Sequence, residues 1–239
     1  MGIRSLLRNL RHRPPLHPAL QRNRSAFADF NQDIPLEDCE FAVTDMEMTG
    51  LDPAHDEIVA IGAVRIRGLS IITGDVFHTY VRPQRSMARP ATLIHRITPA
   101  QLQHSPALAG LLPGFVDWCG QALITGHHVG LDMGFLTRAC RRHLGGAPAN
   151  PCVDTMRLAQ AWERERWERS FDPFQPTVSY TLADLSARYG LPQFRAHDAL
   201  EDALQTAYLF LYLVRKLKGG GITTLRGLHA AGRSWRWYL

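Results

Sequence analysis

Two carboxylates stand two positions apart near the end of an apolar run, Phe41-Ala42-Val43-Thr44-Asp45-Met46-Glu47-Met48-Thr49-Gly50. On a strand, side chains at i and i+2 leave the same face. Asp45 and Glu47 therefore project together, while Thr44 and Met46 point the other way. Carboxylates this close repel unless a proton or a cation sits between them. A hard divalent cation suits them, because Mg²⁺ and Mn²⁺ prefer oxygen ligands. A second Asp-x-Glu triplet, Asp38-Cys39-Glu40, follows Pro35 and mixed polar residues and reads as solvated loop acids.

Two later stretches carry further candidates. In Thr125-Gly126-His127-His128-Val129-Gly130-Leu131-Asp132, the aspartate falls in the first turn of a predicted helix, where it would also serve as a favourable charge on the helix dipole. In His197-Asp198-Ala199-Leu200-Glu201-Asp202, five residues of helix amount to a rotation of about 140°. His197 and Asp202 would then not share a stripe if both were helical. Asp198 with Glu201 three residues on reads as an N-cap and its capping-box partner. The helix thus begins after Asp198, with His197 outside it and free to swing.

The elements that must carry these residues follow from periodicity. After β-like 41–48, residues 57–66 and 71–81 read as strands joined by short links, an antiparallel meander. A helix is expected over 106–119, a short buried strand over 122–126, and a helix over 131–144 ended by Gly145-Gly146. A last strand at 152–155 runs into a helix near 156–169. A short helix opens at Thr181, and a long one spans 199–218. Strands first, then strands alternating with helices, indicate an α/β mixed sheet flanked by helices.

Asp45-x-Glu47-x-Thr49-Gly50, His127-x4-Asp132 and His197-x4-Asp202 occur in this order at domain-scale spacing. They resemble the three exonuclease motifs of the DEDDh 3′–5′ exonucleases, the family of the DNA polymerase III epsilon subunit, RNase T and oligoribonuclease. Ile94-His95-Arg96-Ile97-Thr98, Asp154-Thr155-Met156-Arg157-Leu158-Ala159 and 182–191 are similar too. The resemblance spans about 40–217. It implies an RNase H-like fold and two divalent ions, Mg²⁺ or Mn²⁺, bound by Asp45, Glu47, Asp132 and Asp202, with Asp45 bridging them. Glu47 and Asp202 would serve the nucleophile-side ion and Asp132 the other, through water. It also implies His197 as general base.

The resemblance further places backbone around Met48 and the Thr49 side chain at the terminal nucleotide, Leu51 as a wedge against its base, and His95 in the same pocket. Read without it, Leu51 is equally a core residue and His95 a turn residue. Departures are His128 where the family usually has Asn, Leu131 where Phe is frequent, and Met46 where a small polar residue is usual. None removes a carboxylate. The implied substrate is a single-stranded nucleic-acid 3′ end, DNA ahead of RNA or short oligonucleotides, with a polymerase or another replication or repair protein as a partner. A binding module retaining only the fold would be expected to have lost part of the carboxylate set, and this set is intact.

The 239 residues and a net charge of +5 fit one domain of about 170–190 residues with flanking segments. These are a basic arm over 1–39, an exonuclease domain over 40–218, and a basic aromatic tail over 219–239. Ile3, Leu6, Leu7 and Leu10 are spaced for a short amphipathic helix in the arm. The tail interleaves Arg226, Arg233 and Arg236 with Trp235, Trp237 and Tyr238. It would either hold single strands by charge and stacking or fold back to bury its tryptophans. No apolar run approaches the ~18 residues of a membrane span, and no secretory signal is visible. The four scattered cysteines read as free thiols in a reducing compartment, so a cytoplasmic protein is expected. Without paired Cys/His ligands, a structural zinc site is excluded.

Overall fold

The computed structural model describes residues 14–85, 89–169 and 178–232. The apolar alternation at 41–81 becomes β1 (Phe41–Met48), β2 (Ile58–Arg67) and β3 (Ser70–Tyr80), paired antiparallel in sequence order. β4 (Leu123–Gly126) adds to the other side of β1 in parallel, and β5 (Cys152–Asp154) adds parallel to β4. The sheet order is β3-β2-β1-β4-β5, with β1 central. This is the RNase H-like mixed sheet expected from the sequence.

Helices cover both faces. α1 (Pro18–Ala26), α4 (Leu108–Cys119) and α5 (Gly130–His143) pack with Ala42, Met46 and Met48 on one face. α6 (Thr155–Arg169), α7 (Leu182–Arg188), α8 (Ala199–Gly219) and α9 (Leu225–Gly232) pack with Phe41 and Val43 on the other. Two short helices, α2 (Arg89–His95) and α3 (Pro99–Leu102), link β3 to α4. The odd-numbered face of β1, which carries Asp45 and Glu47, is therefore the α8 face. Phe41 and Phe210 of α8 anchor it, their ring centroids 4.7 Å apart.

The expected strands and helices lie within two or three residues of their observed ends. Buried residues also occur outside 40–218. Leu20 and Leu36 of the segment expected as an arm are fully buried. Arg22 of α1 makes a bidentate pair with Asp117 of α4, and Asn23 donates to Asn150 at 2.7 Å. At the other end Leu225 and Leu228 are buried, and α9 packs on α6 and β5. The two ends clasp each other: Leu36 N–H donates to Thr223, Leu225 N–H to Ile34, and Arg226 pairs with Asp33. Packing thus continues through 14–39 and 219–232. Isolated leucines among arginines and prolines carry no readable periodicity, so these segments looked peripheral. The amphipathic helix expected before Pro14 and the tryptophans of the tail fall outside the described residues.

Of Asp38-Cys39-Glu40, Asp38 is exposed and Glu40 partly so, as expected of solvated acids, while Cys39 is buried. Residues Leu36–Asp38 form one 3₁₀ turn, and Glu40 pairs with Arg67 at 2.9 Å.

One close approach fixes α8. Gly62 of β2 lies opposite Asp45 in the ladder, and a Cβ added there would sit 2.1–2.3 Å from backbone atoms of Ala199 and Leu200. Only glycine lets the start of α8 rest directly on the sheet. Over-packing of this kind costs about 1–3 kcal/mol, and roughly 2–4 °C of Tm accompanies each kcal/mol in a chain of this size. Gly62→Ala should lower the thermal midpoint by several degrees. An unchanged midpoint would show that α8 has slack at this contact.

Candidate active site

β4 pairs with β1 only as far as Val43 opposite Thr125. Asp45 and Glu47 lie beyond that pairing, at the carboxyl end of β1, where the chain has turned to β2 on one side and β4 on the other. Such a switch point opens a crevice in the sheet edge. Asp132 enters the crevice from the first turn of α5. It is only 6% exposed, so it is not a surface charge placed for the helix dipole. The first turn of α5 holds its carboxylate inside, next to β1.

The start of α8 supplies the rest. Asp198 caps the helix by accepting from Leu200 and Glu201 N–H. Glu201 does not complete the expected capping box and instead accepts from the backbone N–H of Arg195 at 2.5 Å. Asp202 accepts the backbone N–H of His197 at 2.7 Å. His197 is exposed and held at φ 66°, a left-handed conformation that a non-glycine residue adopts only when its surroundings dictate it. Ligating atoms of Glu47, His197 and Asp202 all lie within 4.8 Å of one another. The spacing alone, which separates His197 from Glu47 by most of the domain, does not bring them together; the family resemblance does.

Electrostatics follow from this crowding. Burial, then repulsion from Asp132, Asp202 and Glu47, holds the Asp45 carboxyl well above the ordinary range. Glu47 is pushed up to about 7, chiefly by burial and then by Asp202 and Asp198. Burial also raises Asp132 and Asp202, partly offset at Asp202 by the His197 N–H that it accepts. Among the described residues, no Lys or Arg forms an ion pair with any of the four. A desolvated set of converging oxygen ligands, without a counter-charge from the chain, fits divalent cations.

The expected substrate contacts divide. Leu51 is 78% exposed, at the tip of the β1–β2 turn, and is not a core residue. Met48 and Thr49 are buried. The Thr49 hydroxyl is committed inside the turn, donating to Asp56 at 3.1 Å and accepting from Glu57 N–H at 3.0 Å. It therefore holds the turn rather than reaching into the crevice. Asp56 also accepts from Asp52 N–H, and its carboxylate occupies the space a Cβ on Gly50 would need, 2.4 Å away. His95 is buried, its Nδ1 accepting Ile97 N–H at 3.0 Å, while Nε2 has no partner among the described residues. It lines a small cavity with Tyr80, Arg195, His197 and Asp198.

Three supporting residues were not singled out from the sequence for such a role. Asp56 buttresses the Leu51 turn. Asp154 accepts from His128 and Met156 N–H, tying the β4–α5 connection to α6. His127 is a scaffold residue: its ring nitrogens bond Thr155 Oγ1 at 2.9 Å and the Tyr180 carbonyl at 2.8 Å. For Asp56, the Asp at i and i+4 around a Pro-containing turn was the available signal.

The exonuclease family profile (RNase_T) matches residues 42–210. The PolC-type DNA polymerase III of Thermotoga maritima is 34% identical over 197 residues, 82% of this chain and 13% of that polymerase. The PolC-type enzyme of Staphylococcus aureus is 28% identical over 191 residues, 80% of the chain and 12% of its own length. The chain thus spans about an eighth of these relatives. Exonuclease X, solved with 5′-overhanging duplex DNA, superposes with a TM-score of 0.58 at 24% identity, over 80% of this chain and 99% of that one. E. coli exonuclease I, solved with a dT13 oligonucleotide, gives 0.66 at 21% identity, over 77% of this chain and 42% of that one. The structural likeness establishes the fold. The chain belongs to the exonuclease family, in agreement with the DEDDh motifs. Among the described residues, no helix is long and apolar enough to cross a membrane.

The raised carboxyls make a linkage prediction. For Glu47 the folded value is about 7 and the unfolded value about 4.3, so the native state binds more protons between them. Stability then falls as pH rises through that window. In EDTA, Glu47→Gln should gain stability over the parent as pH goes from 5 to 8, read as a widening difference in thermal midpoint. A constant difference would contradict the electrostatic assignment.

Proposed function

We propose that this chain is a metal-dependent 3′–5′ exonuclease that removes nucleotides from single-stranded 3′ ends, DNA in preference to RNA. The observation that carries the reading is the convergence of Asp45 and Glu47 from β1, Asp132 from α5 and Asp202 from α8, with His197 at the rim of the set. Family membership adds the reaction class. The DNA complexes of exonucleases X and I and the kinship to PolC favour a DNA substrate, with a polymerase or another replication or repair protein as partner.

Asp45, Glu47, Asp132 and Asp202 would hold two divalent cations, Mg²⁺ or Mn²⁺. Bound there, such ions lower the pKa of the attacking water and offset charge on the phosphorane and the leaving oxygen. His197 takes the proton of the water, a role that imidazole suits near neutral pH. The water oxygen bonds phosphorus, the bond from phosphorus to the 3′-oxygen of the preceding nucleotide breaks, that oxygen takes up a proton from solvent to become a hydroxyl, and a 5′-nucleotide leaves. Asp202 fixes the backbone of the base it works beside, through the His197 N–H bond. Exposed Leu51 abuts the terminal base, and His95 closes the pocket behind His197. The backbone of Met48 and Thr49 faces the terminal nucleotide, since the Thr49 hydroxyl is used within the turn.

The reading is tested with a 5′-labelled DNA strand and its RNA counterpart, each in Mg²⁺, Mn²⁺ or EDTA. A ladder shortening from the 3′ end, metal-dependent and faster on DNA, is expected. No cleavage by any metal-loaded sample would overturn the enzyme reading, and faster RNA cleavage would overturn the sugar preference. His197→Ala should lower turnover by about 10²–10⁴-fold while still taking up Mn²⁺. Near-normal turnover would remove His197 from its role.

A further inference from the structure

Beside the crevice, on the outer side of the turn that carries Leu51, lies a concavity between that turn, the segment after β3 and the exposed side of α5. Pro53, Arg82, Gln84, Arg138 and Arg142 line it. Arg138 and Arg142 stand one helical turn apart on α5, and Arg85 lies at the rim. All four arginines are exposed. Arg138 donates to the Ala54 carbonyl at 2.7 Å and Arg85 to the His55 carbonyl at 3.0 Å. Arg142 reaches Gln84 at 3.5 Å.

Little of their charge is spent: Arg138 comes last among the causes that lower Asp52, after its bonds to His55 and to Ala54 N–H. Among the described residues, none of the four is within ion-pair distance of a carboxylate. Arg22, Arg67, Arg188 and Arg226, by contrast, are each paired with one. The acids at the concavity are already engaged. Asp56 serves Thr49 and Asp52, and Glu57 accepts the backbone N–H groups of Gln84 and Arg85. Four guanidiniums against three committed carboxylates, Asp52, Asp56 and Glu57, leave a positive surface contiguous with the turn that follows β1. Guanidinium groups held by carbonyls keep free N–H donors in a fork that matches phosphate oxygens.

We propose that this basic concavity is a track for the phosphodiester backbone, binding phosphates of the nucleic acid away from the nucleotide being removed. The inference rests on the nuclease reading for the identity of its ligand. The phosphates would belong either to the upstream part of the cleaved strand or to a complementary strand, which the same chemistry would bind.

The test compares the parent chain with Arg138→Gln/Arg142→Gln, which removes two charges while leaving amide donors for the carbonyl contact. Binding is measured in EDTA by fluorescence anisotropy, over a salt series, with a 4-nucleotide strand, a 20-nucleotide strand, and a duplex ending in a 4-nucleotide 3′ overhang. The variant should bind the 20-mer, the duplex or both roughly tenfold more weakly relative to the 4-mer, with the salt slope reduced by about 0.7–0.9 per lost phosphate contact. Loss on the 20-mer assigns the track to the cleaved strand, and loss confined to the duplex assigns it to the complement. An unchanged ratio and slope, or an equal loss on all three, would overturn the proposal. In parallel, the ratio of kcat/KM on the 20-mer to that on the p-nitrophenyl ester of thymidine 5′-phosphate should fall. Hydrolysis of neither substrate by the parent chain would reject the nuclease reading, whereas the anisotropy data would still decide the track.

Discussion

The site depends on a contact that no side chain would allow. The first turn of α8 lies on the bare backbone of Gly62, directly across the ladder from Asp45. Because that approach is so close, Asp202 and His197 reach the end of β1 rather than standing a side chain's thickness above it. The length of α8 keeps it there. Phe210, Leu213 and Leu217 are buried against the odd-numbered face of the sheet, so the helix start is positioned by hydrophobic burial well away from the polar residues it delivers.

Everything else at the crevice is arranged against electrostatic cost. Four carboxylates from three elements share a partly desolvated space, and burial followed by nearby acids raises the proton affinity of all four. Isolated, the set would relax apart. It cannot, because β1 is clamped between β2 and β4 and packed on both faces, while α5 and α8 are anchored by separate apolar clusters. Two left-handed non-glycine residues, Arg96 and His197, flank the cavity next to this set. Backbone strain and repulsion are thus concentrated where a bound cation would relieve the second.

Much of this was legible in the chain. The i, i+2 spacing of Asp45 and Glu47 on an apolar strand fixed their shared face, and Asp198 announced where α8 begins. These are local rules, and they hold because the core on either side agrees with them. What was not legible depends on distant partners. Read by its helix position alone, Asp132 is a dipole acid, and its burial appears only in the fold. Thr49 looked available until Asp56 and Glu57 took its hydroxyl. The arm and tail looked peripheral because Leu20, Leu36, Leu225 and Leu228 reveal their burial only when the termini meet. Gly62 carries no chemistry, and its role appears only with the helix lying on it.

The central claim is that this carboxylate set is a two-cation site. Titration of the metal-free chain with Mn²⁺ at pH 8, followed by electron paramagnetic resonance of the free ion, addresses it most directly. The account predicts two saturable ions per chain, with at least one lost in Asp45→Asn and in Asp202→Asn. Absence of saturable binding, or binding by both variants indistinguishable from the parent, would contradict it.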